Sequence, residues 1–527
     1  MPESEKEVLI SEGPPVSSDE AINLTLGNQT FQIALLILVC FSFSTGGQIS
    51  YSLPFLQARD ADVQFRCYFT DGSVGLCDAD QACDSKQTSH FDYLHNTDTT
   101  LVNWIVDFKL ACSSDASISL EGTYFFAGFL VSAAVFPTLS DIVGRKPIIL
   151  AGLVFHIAIN LAIQFWHNQA FLIAYLVLLG IRLPMASHTA FLLLAEYSPP
   201  PRRALFANLV SAFDGGFTIF ISLGFYYLRN WIDWFYIVDA QNIALFFGFL
   251  IFIPESPRYL MARRKFSRAR AAFARIARCN RSPPPDFALE GQTALVASVS
   301  DYSPSVESAM RGQHPFVSLC KQGHGVRLRL AVLFVLFFIV DIEFYGISFG
   351  LDHLRGNKYA NGILVGCSDI VSCTMLGLVA DKFGRKKAML ICSAALAVAA
   401  LVYDLVSFSE IFSYVLVVIT RMGAASSFAL MFLLAQESYP TQVRGTVFGI
   451  ANAFARVGGA VAPLASSFSH FMLILAALAV AAFFLVLLMK ETKGAKMEDF
   501  VDEASQQERK PTSPVHLASP RLSPNEK

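Results

Sequence analysis

PTLSDIVGRKP at 137–147 and GLVADKFGRKK at 377–387 decide how the chain is built. Asp141, Gly144, Arg145 and Lys146 of the first stretch return 240 residues later as Asp381, Gly384, Arg385 and Lys386. AEYSPPPRR (195–203) is echoed by AQESYPTQVR (435–444), with Glu196 seven residues before Arg203 and Glu437 seven before Arg444. ESPR (255–258) is matched in position by ETKG (491–494), and Arg182 by Arg421. Landmarks kept in one order at nearly constant spacing mark a duplicated unit. In each DxxGRK turn the glycine permits a connection of two to four residues. The basic pair can bond freed carbonyls at a helix C-terminus, and the Asp can meet a neighbouring helix N-terminus. Plain retention of positive charge on one side would need Arg and Lys but not Asp and Gly at fixed spacing. The expectation is a pair of separable polar latches that gate: Asp141, Gly144, Arg145, Lys146, Glu196 and Arg203 in one half, and Asp381, Gly384, Arg385, Lys386, Glu437 and Arg444 in the other.

Composition says what the repeats are made of. The chain has 527 residues, 54% of them hydrophobic and 16% charged, with 47 Phe against 4 Trp. Soluble domains spend about 25% on charge, so a soluble enzyme and a disordered scaffold are both excluded. Apolar runs of about 20 residues, enough to cross roughly 30 Å of hydrocarbon, fall near 31–52, 120–139, 148–167, 169–194, 205–227, 233–253, 329–350, 360–379, 388–407, 411–434, 446–468 and 471–489. The expected fold is an all-α polytopic membrane protein with twelve transmembrane helices in two parallel six-helix halves, 31–253 and 329–489. An N-terminal segment, 1–30, shows no signal peptide. The linker is 254–328, and the Pro/Ser-rich tail 490–527 is expected to be disordered.

Charge sets the orientation. Segment 57–119 holds 10 Asp against 4 Lys plus Arg, whereas 254–328 holds 12 Lys plus Arg against 5 acids. Positive residues near span ends stay cytoplasmic, so the linker and both termini are expected inside and 57–119 outside. The basic stretch 258–281, with Leu260, Phe266, Ala271 and Phe273 among its charges, reads as an amphipathic helix facing anionic lipid rather than nucleic acid. Cys67, Cys77, Cys83 and Cys112 all lie in the outer segment and are expected to form two disulfides, in one of three pairings. A metal-binding loop is the alternative, but only His90 and His95 are near and CxxC spacing is absent. No cofactor or metal is expected.

On these residues the chain resembles the major facilitator superfamily, and within it the organic cation, organic anion and carnitine carriers. The DxxGRK pair carries the superfamily. PESPRYL (254–260) and ETKG narrow the group, and TTLVNWIVDFKLAC (99–112) and FYGISFGLDHLRGNKYANGILVG (344–366) are the most specific matches. The chain departs from the family pattern in three ways. Pro137 stands for a Gly, 57–119 has no glycosylation sequon although Asn23 and Asn28 have the pattern, and GCSDIVS (366–372) replaces the usual run.

A charge inside a span is costly and faces the bundle or its cavity. Arg456 lies about ten residues into the eleventh span among small neighbours, and its Ala-Arg-Val-Gly setting is similar to carriers of anions or zwitterions. Arg182 lies mid-membrane in the fourth span and Asp214 about nine residues into the fifth. Asp341 and Glu343 in the seventh are about 200° apart on their helix, so only one faces the centre. Asp341 shares a face with Tyr345. Arg456 and Arg182 on one side, with Asp214 or with Asp341 and Tyr345 on the other, suit a zwitterion, or an anion with a proton or counter-ion. The functional expectation is a secondary carrier of small organic anions or zwitterions in the plasma membrane, working by alternating access. No nucleotide loop is present, so ATP is not a partner. Alternatives are an organic cation carrier, a sugar or polyol porter, and a non-transporting receptor on a carrier scaffold.

Overall fold

A computed structural model describes residues 16–59, 64–94, 101–283, 319, 324–406, 409–439 and 441–493. The proposed tail beyond 493, most of the linker and His95 lie outside the described residues. Before the linker come α1 (Ser18–Leu24), α2 (Thr30–Leu56), α3 (Ala79–Cys83), α4 (Trp104–Asp107), α5 (Asp115–Val143), α6 (Arg145–Phe165), α7 (Gln169–Leu183), α8 (Thr189–Tyr197), α9 (Arg203–Leu228), α10 (Trp231–Phe252), α11 (Pro257–Ala262) and α12 (Phe266–Asn280). After it come α13 (His324–Phe349), α14 (Lys358–Phe383), α15 (Arg385–Leu405), α16 (Glu410–Glu437), α17 (Thr441–Ser466) and α18 (Phe471–Leu487). Among the described residues nine helices are long and apolar enough to cross a membrane. A tenth is counted when Asp115–Ala133 and Val135–Val143, bent by 43°, are one span. The bend has a chemical cause in Pro137, which has no N–H to give to the carbonyl four residues back. Two helical stretches expected to be separated by the second DxxGRK turn meet there, α14 and α15, and α18 is a shorter apolar helix.

Helix ends follow local sequence. Ser114, Asn168, Asn230 and Asn357 accept backbone N–H groups at the starts of α5, α7, α10 and α14, the usual role of short polar side chains at an N-cap. Only one residue, Gly144 at φ 117°, separates α5 from α6, and Gly384 at φ 92° separates α14 from α15. These angles need glycine, and the connection is shorter than the two to four residues expected. Between α7 and α8 the span continues through a π-helical turn, Pro184–His188.

The segment after α2 is not a plain loop. Strands β1 (Gln64–Phe69), β2 (Val74–Cys77) and β3 (Thr88–Leu94) form an antiparallel sheet in the order β2-β1-β3, an element absent from the all-α expectation. It packs onto a core around Trp104, Trp231, Phe235 and Tyr175 at this loop end of the bundle. At the opposite, linker end, α12 lays Ala269, Phe273 and Ile276 against Phe31, Leu194 and Phe249. The apolar face of this amphipathic helix meets protein, leaving Arg268, Arg275 and Arg278 exposed.

Helices before and after the linker meet along α5–α17 and α9–α14. Thr123 Oγ1 donates to the Ala460 carbonyl at 2.7 Å, and a Cβ on Gly215 would fall 2.4 Å from the Asp369 Cβ. Phe55 stacks on Tyr359 with centroids 5.6 Å apart. These contacts run from mid-bundle to the loop end. Toward the linker end the same helices expose Val131, Val135, Leu205, Leu209, Val371 and Met375.

Candidate functional site

Ionisable side chains from six long helices gather at mid-bundle. Arg456 of α17 is 5% exposed and points its Nη1 at Asp341 Oδ1 of α13, 3.8 Å away. Its Nη2 donates to Asn452 Oδ1 at 3.0 Å, and its guanidinium lies 4.3 Å from the centre of the Phe129 ring. Nε and Nη1 of Arg456 and both carboxylate oxygens of Asp341 lack a hydrogen-bond partner among the described residues. The pair is therefore Coulombic and loose. Gly459 makes the space for it, since a Cβ there would sit 2.4 Å from Phe126 Cε1 and 2.8 Å from Asp341 Oδ2.

Arg421 of α16 is the opposite case. Its Nε and Nη2 each reach a different oxygen of Asp369 on α14 at 2.7 Å. Its Nη1 donates to the Phe344 carbonyl at 2.6 Å and Ser348 Oγ at 2.9 Å, and Phe344 stacks under it at 3.9 Å. A bidentate pair with its remaining donors satisfied is the form in which a buried ion pair holds together.

Asp214 of α9 faces this group with weak hydroxyl partners, Tyr51, which donates at 3.4 Å, and Ser44. Its Oδ1 has no partner among the described residues. Tyr345 ties the sides together, lying within electrostatic reach of Arg456, Asp341 and Asp214. Tyr51 likewise reaches Asp214, Tyr345, Arg421 and Asp369. The centre thus holds one satisfied pair, one loose pair and one acid with no ionic partner among the described residues. Phe126 packs edge-on against Tyr345 at 4.8 Å, giving the loose pair an aromatic wall.

Two residues singled out from the sequence lie elsewhere. Glu343 is buried with both oxygens unpartnered among the described residues, on the far face of α13 from Asp341 as helical geometry requires. Arg182 does not join Arg456: its Nη2 donates to Thr45 Oγ1 at 2.5 Å, and it interacts with Tyr175 and His156 within the helices before the linker. Of the two acids set opposite Arg456 from the sequence, Asp214 and Asp341, its partner is Asp341.

The DxxGRK turns form two matched clusters at the linker end. Arg145 Nη2 meets Asp141 at 2.7 Å and Glu196 at 2.9 Å, and its Nη1 donates to the Ser140 carbonyl. Arg385 meets Glu437 at 3.1 Å; the side chain of Asp381 lies outside the described residues. Lys146 and Lys386 donate to the Leu250 and Leu487 carbonyls at 2.8 and 2.7 Å, the freed carbonyls expected of them. The carboxylate at each following helix N-terminus is not the turn Asp. Glu255 accepts from the Arg145 N–H at 3.0 Å and Glu491 from the Arg385 N–H at 2.8 Å. Burial pushes the Glu491 carboxyl up, but backbone N–H groups of Lys493, Arg385, Thr492 and Lys386 outweigh it and hold it below its ordinary value. Arg203 meets Asp19 of α1 at 2.5 Å, and Arg258 shares that carboxylate. Arg444 Nε donates to the Tyr439 carbonyl at 3.3 Å.

At the loop end Cys67 is bonded to Cys77 and Cys83 to Cys112. The first bond staples β1 to β2, and the second ties α3 to the chain just before α5.

Buried opposite charges at the centre of a polytopic bundle, with matched polar clusters at one end, define a membrane carrier. Residues 93–463 match the Major Facilitator Superfamily. The organic cation/carnitine transporter 4 of Arabidopsis thaliana is 25% identical over 443 residues, covering 82% of this chain and 80% of that one. The beta-alanine transporter of Drosophila melanogaster is 27% identical over 422 residues, covering 79% and 68%. The inward-open xylose transporter XylE of E. coli superposes with a TM-score of 0.59 at 15% identity, covering 89% and 97%, a likeness of fold. The chain belongs to the Major Facilitator Superfamily and, within it, to the organic cation, organic anion and carnitine transporter family. It is a multi-pass membrane transporter and not an enzyme.

Asp369, Tyr51, Glu255 and Glu491 were not singled out as site residues from sequence. A charge midway through an apolar run was signal enough for Asp369, and its pair Arg421 stood at the position repeating Arg182. Tyr51 carries no such signal, because a tyrosine near a span end is ordinary.

Proposed function

We propose that the chain is a secondary transporter of small zwitterions, molecules bearing a carboxylate and an ammonium group a few bonds apart. The observation that carries this is the mismatch at the centre: Arg456 is only loosely paired with Asp341, and Asp214 has a tyrosine hydroxyl in place of a cation. A zwitterion satisfies both needs, its carboxylate taking the idle N–H donors of Arg456 and its ammonium joining Asp214 beside Tyr51 and Tyr345. A carboxylate–guanidinium contact also fixes orientation. Relatives named for carnitine and beta-alanine accord with this class. A second reading, an organic cation, is favoured by the acid-rich count at the centre, where Asp214, Asp341 and Asp369 face Arg421 and Arg456.

The working arrangement is twelve spans in two six-helix halves that rock about the central site. Segment 57–119 faces outward, and the linker and termini lie in the cytoplasm of a plasma-membrane protein. With the loop end sealed, solute meets the centre from the linker end. The turn clusters hold helices together within each half and gate that end as they re-form across conformations. The test is uptake of radiolabelled beta-alanine, carnitine, propionate and tetraethylammonium by cells expressing the chain, over a pH series that also reads coupling to a proton or counter-ion. Uptake confined to propionate, or to tetraethylammonium, overturns the zwitterion reading.

A further inference from the structure

Beyond the central site, a cavity of about 270 Å³ opens at the loop end, lined from one side by Gln57, Arg59 and Asp115 and from the other by Asp352, His353 and Ser466. That is room for roughly nine water volumes, enough for a small organic molecule. Its walls come from both sets of helices: α2 and α5 before the linker, α17 and the turn after α13 following it. Its floor is the seal itself. Pro463 and Phe349 line the cavity, and a Cβ on Gly122 would fall 2.5 Å from Pro463 Cγ and 3.5 Å from Phe349 Cε1. One turn deeper Thr123 bonds Ala460.

The lining carries both signs of charge. Arg59 lies 3.2 Å from Asp115 and its Nη2 also donates to the Ser113 carbonyl, both at the exposed rim, where an ion pair is weak. Asp352 and His353 face it across the seam. We propose that this cavity is a second ligand site for small dipolar molecules, with the anionic group held by Arg59 and the cationic group by Asp352. Because opposite walls belong to helices that must part for the loop end to open, a bound molecule stabilises the sealed conformation only. Such a ligand shifts the carrier's population by its differential affinity for the two states. The site makes the transporter subject to inhibition from its loop face by molecules that need not be transported.

The test is thermal unfolding of the purified full-length protein titrated with beta-alanine, carnitine, propionate and propylamine, because a ligand of the folded state raises the melting temperature saturably. The dipolar molecules are expected to raise it. The rise should persist in Arg456→Lys, which disturbs the central site. The concentration for half-effect should increase at least tenfold in Arg59→Gln and in Asp352→Asn, changes of similar size at an exposed and a half-buried position. A rise that vanishes in Arg456→Lys and ignores Arg59→Gln and Asp352→Asn overturns the proposal, since all binding is then central. Absence of any rise with the dipolar pair in the unmodified protein also overturns it. Failure of the zwitterion reading is separate, being read from uptake.

Discussion

Replacing Arg456 by Gln separates two roles that the structure superimposes on one side chain. At 3.8 Å and an effective dielectric of about 20, its attraction to Asp341 is about 4 kcal/mol. Removing one partner of a buried pair costs about 3–5 kcal/mol because the other charge is stranded, so Arg456→Gln alone should lower delivery to the cell surface. Arg456→Gln combined with Asp341→Asn removes both charges and should restore delivery. The solute contact is a distinct quantity. A hydrogen bond to a charged group contributes about 1.5–3 kcal/mol, which is about 10- to 150-fold in affinity.

The assay is therefore zwitterion uptake normalised to surface protein, in the single and the double variant. The expected result is near-normal delivery of the double variant, with KM for the zwitterion raised at least tenfold. Double replacement that restores both delivery and the original KM would refute the reasoning, because Arg456 would then serve only to pair Asp341. The charge swap Arg456→Asp with Asp341→Arg carries the same logic further. It should rescue delivery, since the partner is Asp341, whereas a swap with Asp214 should not.

Arg421→Ala should fail at folding rather than at transport, losing about 3–5 kcal/mol by stranding Asp369; surface abundance measures it, and normal abundance would contradict a structural pair. Asp141→Asn loses the more exposed member of a cluster in which Arg145 keeps Glu196, so stability should change by under about 1 kcal/mol while turnover falls and equilibrium binding stays within a few-fold. Non-reducing peptide mass spectrometry should yield Cys67 with Cys77 and Cys83 with Cys112, and Cys112→Ser should lower surface abundance with little effect on KM, a lost disulfide costing about 2–5 kcal/mol in small extracellular folds. The Glu491 carboxyl is held below its unfolded value of 4.5, so its contribution to stability is present above that value and lost as pH falls through the folded one; melting of Glu491→Gln should be the flatter against pH in the acid range.

Legibility followed the length scale of the physics. Helices were readable because a span must bury about 20 apolar residues in hydrocarbon, and the duplicated turns because a one-residue connection at positive φ admits little but glycine. Asp214, Asp341 and Arg456 stood out because a charge there has no cheap alternative. What periodicity could not supply was partnership. Whether Arg456 leans on Asp341 or Asp214 depends on a few ångströms of helix rotation, and Arg182, equally mid-span, is drawn to Thr45 instead. The sheet in 64–94 escaped notice because its strands are short and half-exposed: Phe65 and Cys67 are buried about an exposed Arg66, but the alternation runs over too few residues to stand out, and a disulfide and Trp104 packing complete the hold. Family resemblance marked PESPRYL and ETKG without saying what they do. Their carboxylates, Glu255 and Glu491, each cap the helix that follows a DxxGRK turn, so the glycine's constraint and the distant acid's spacing are one requirement: the positive φ that turns the chain also aims two N–H groups at an acid more than a hundred residues away.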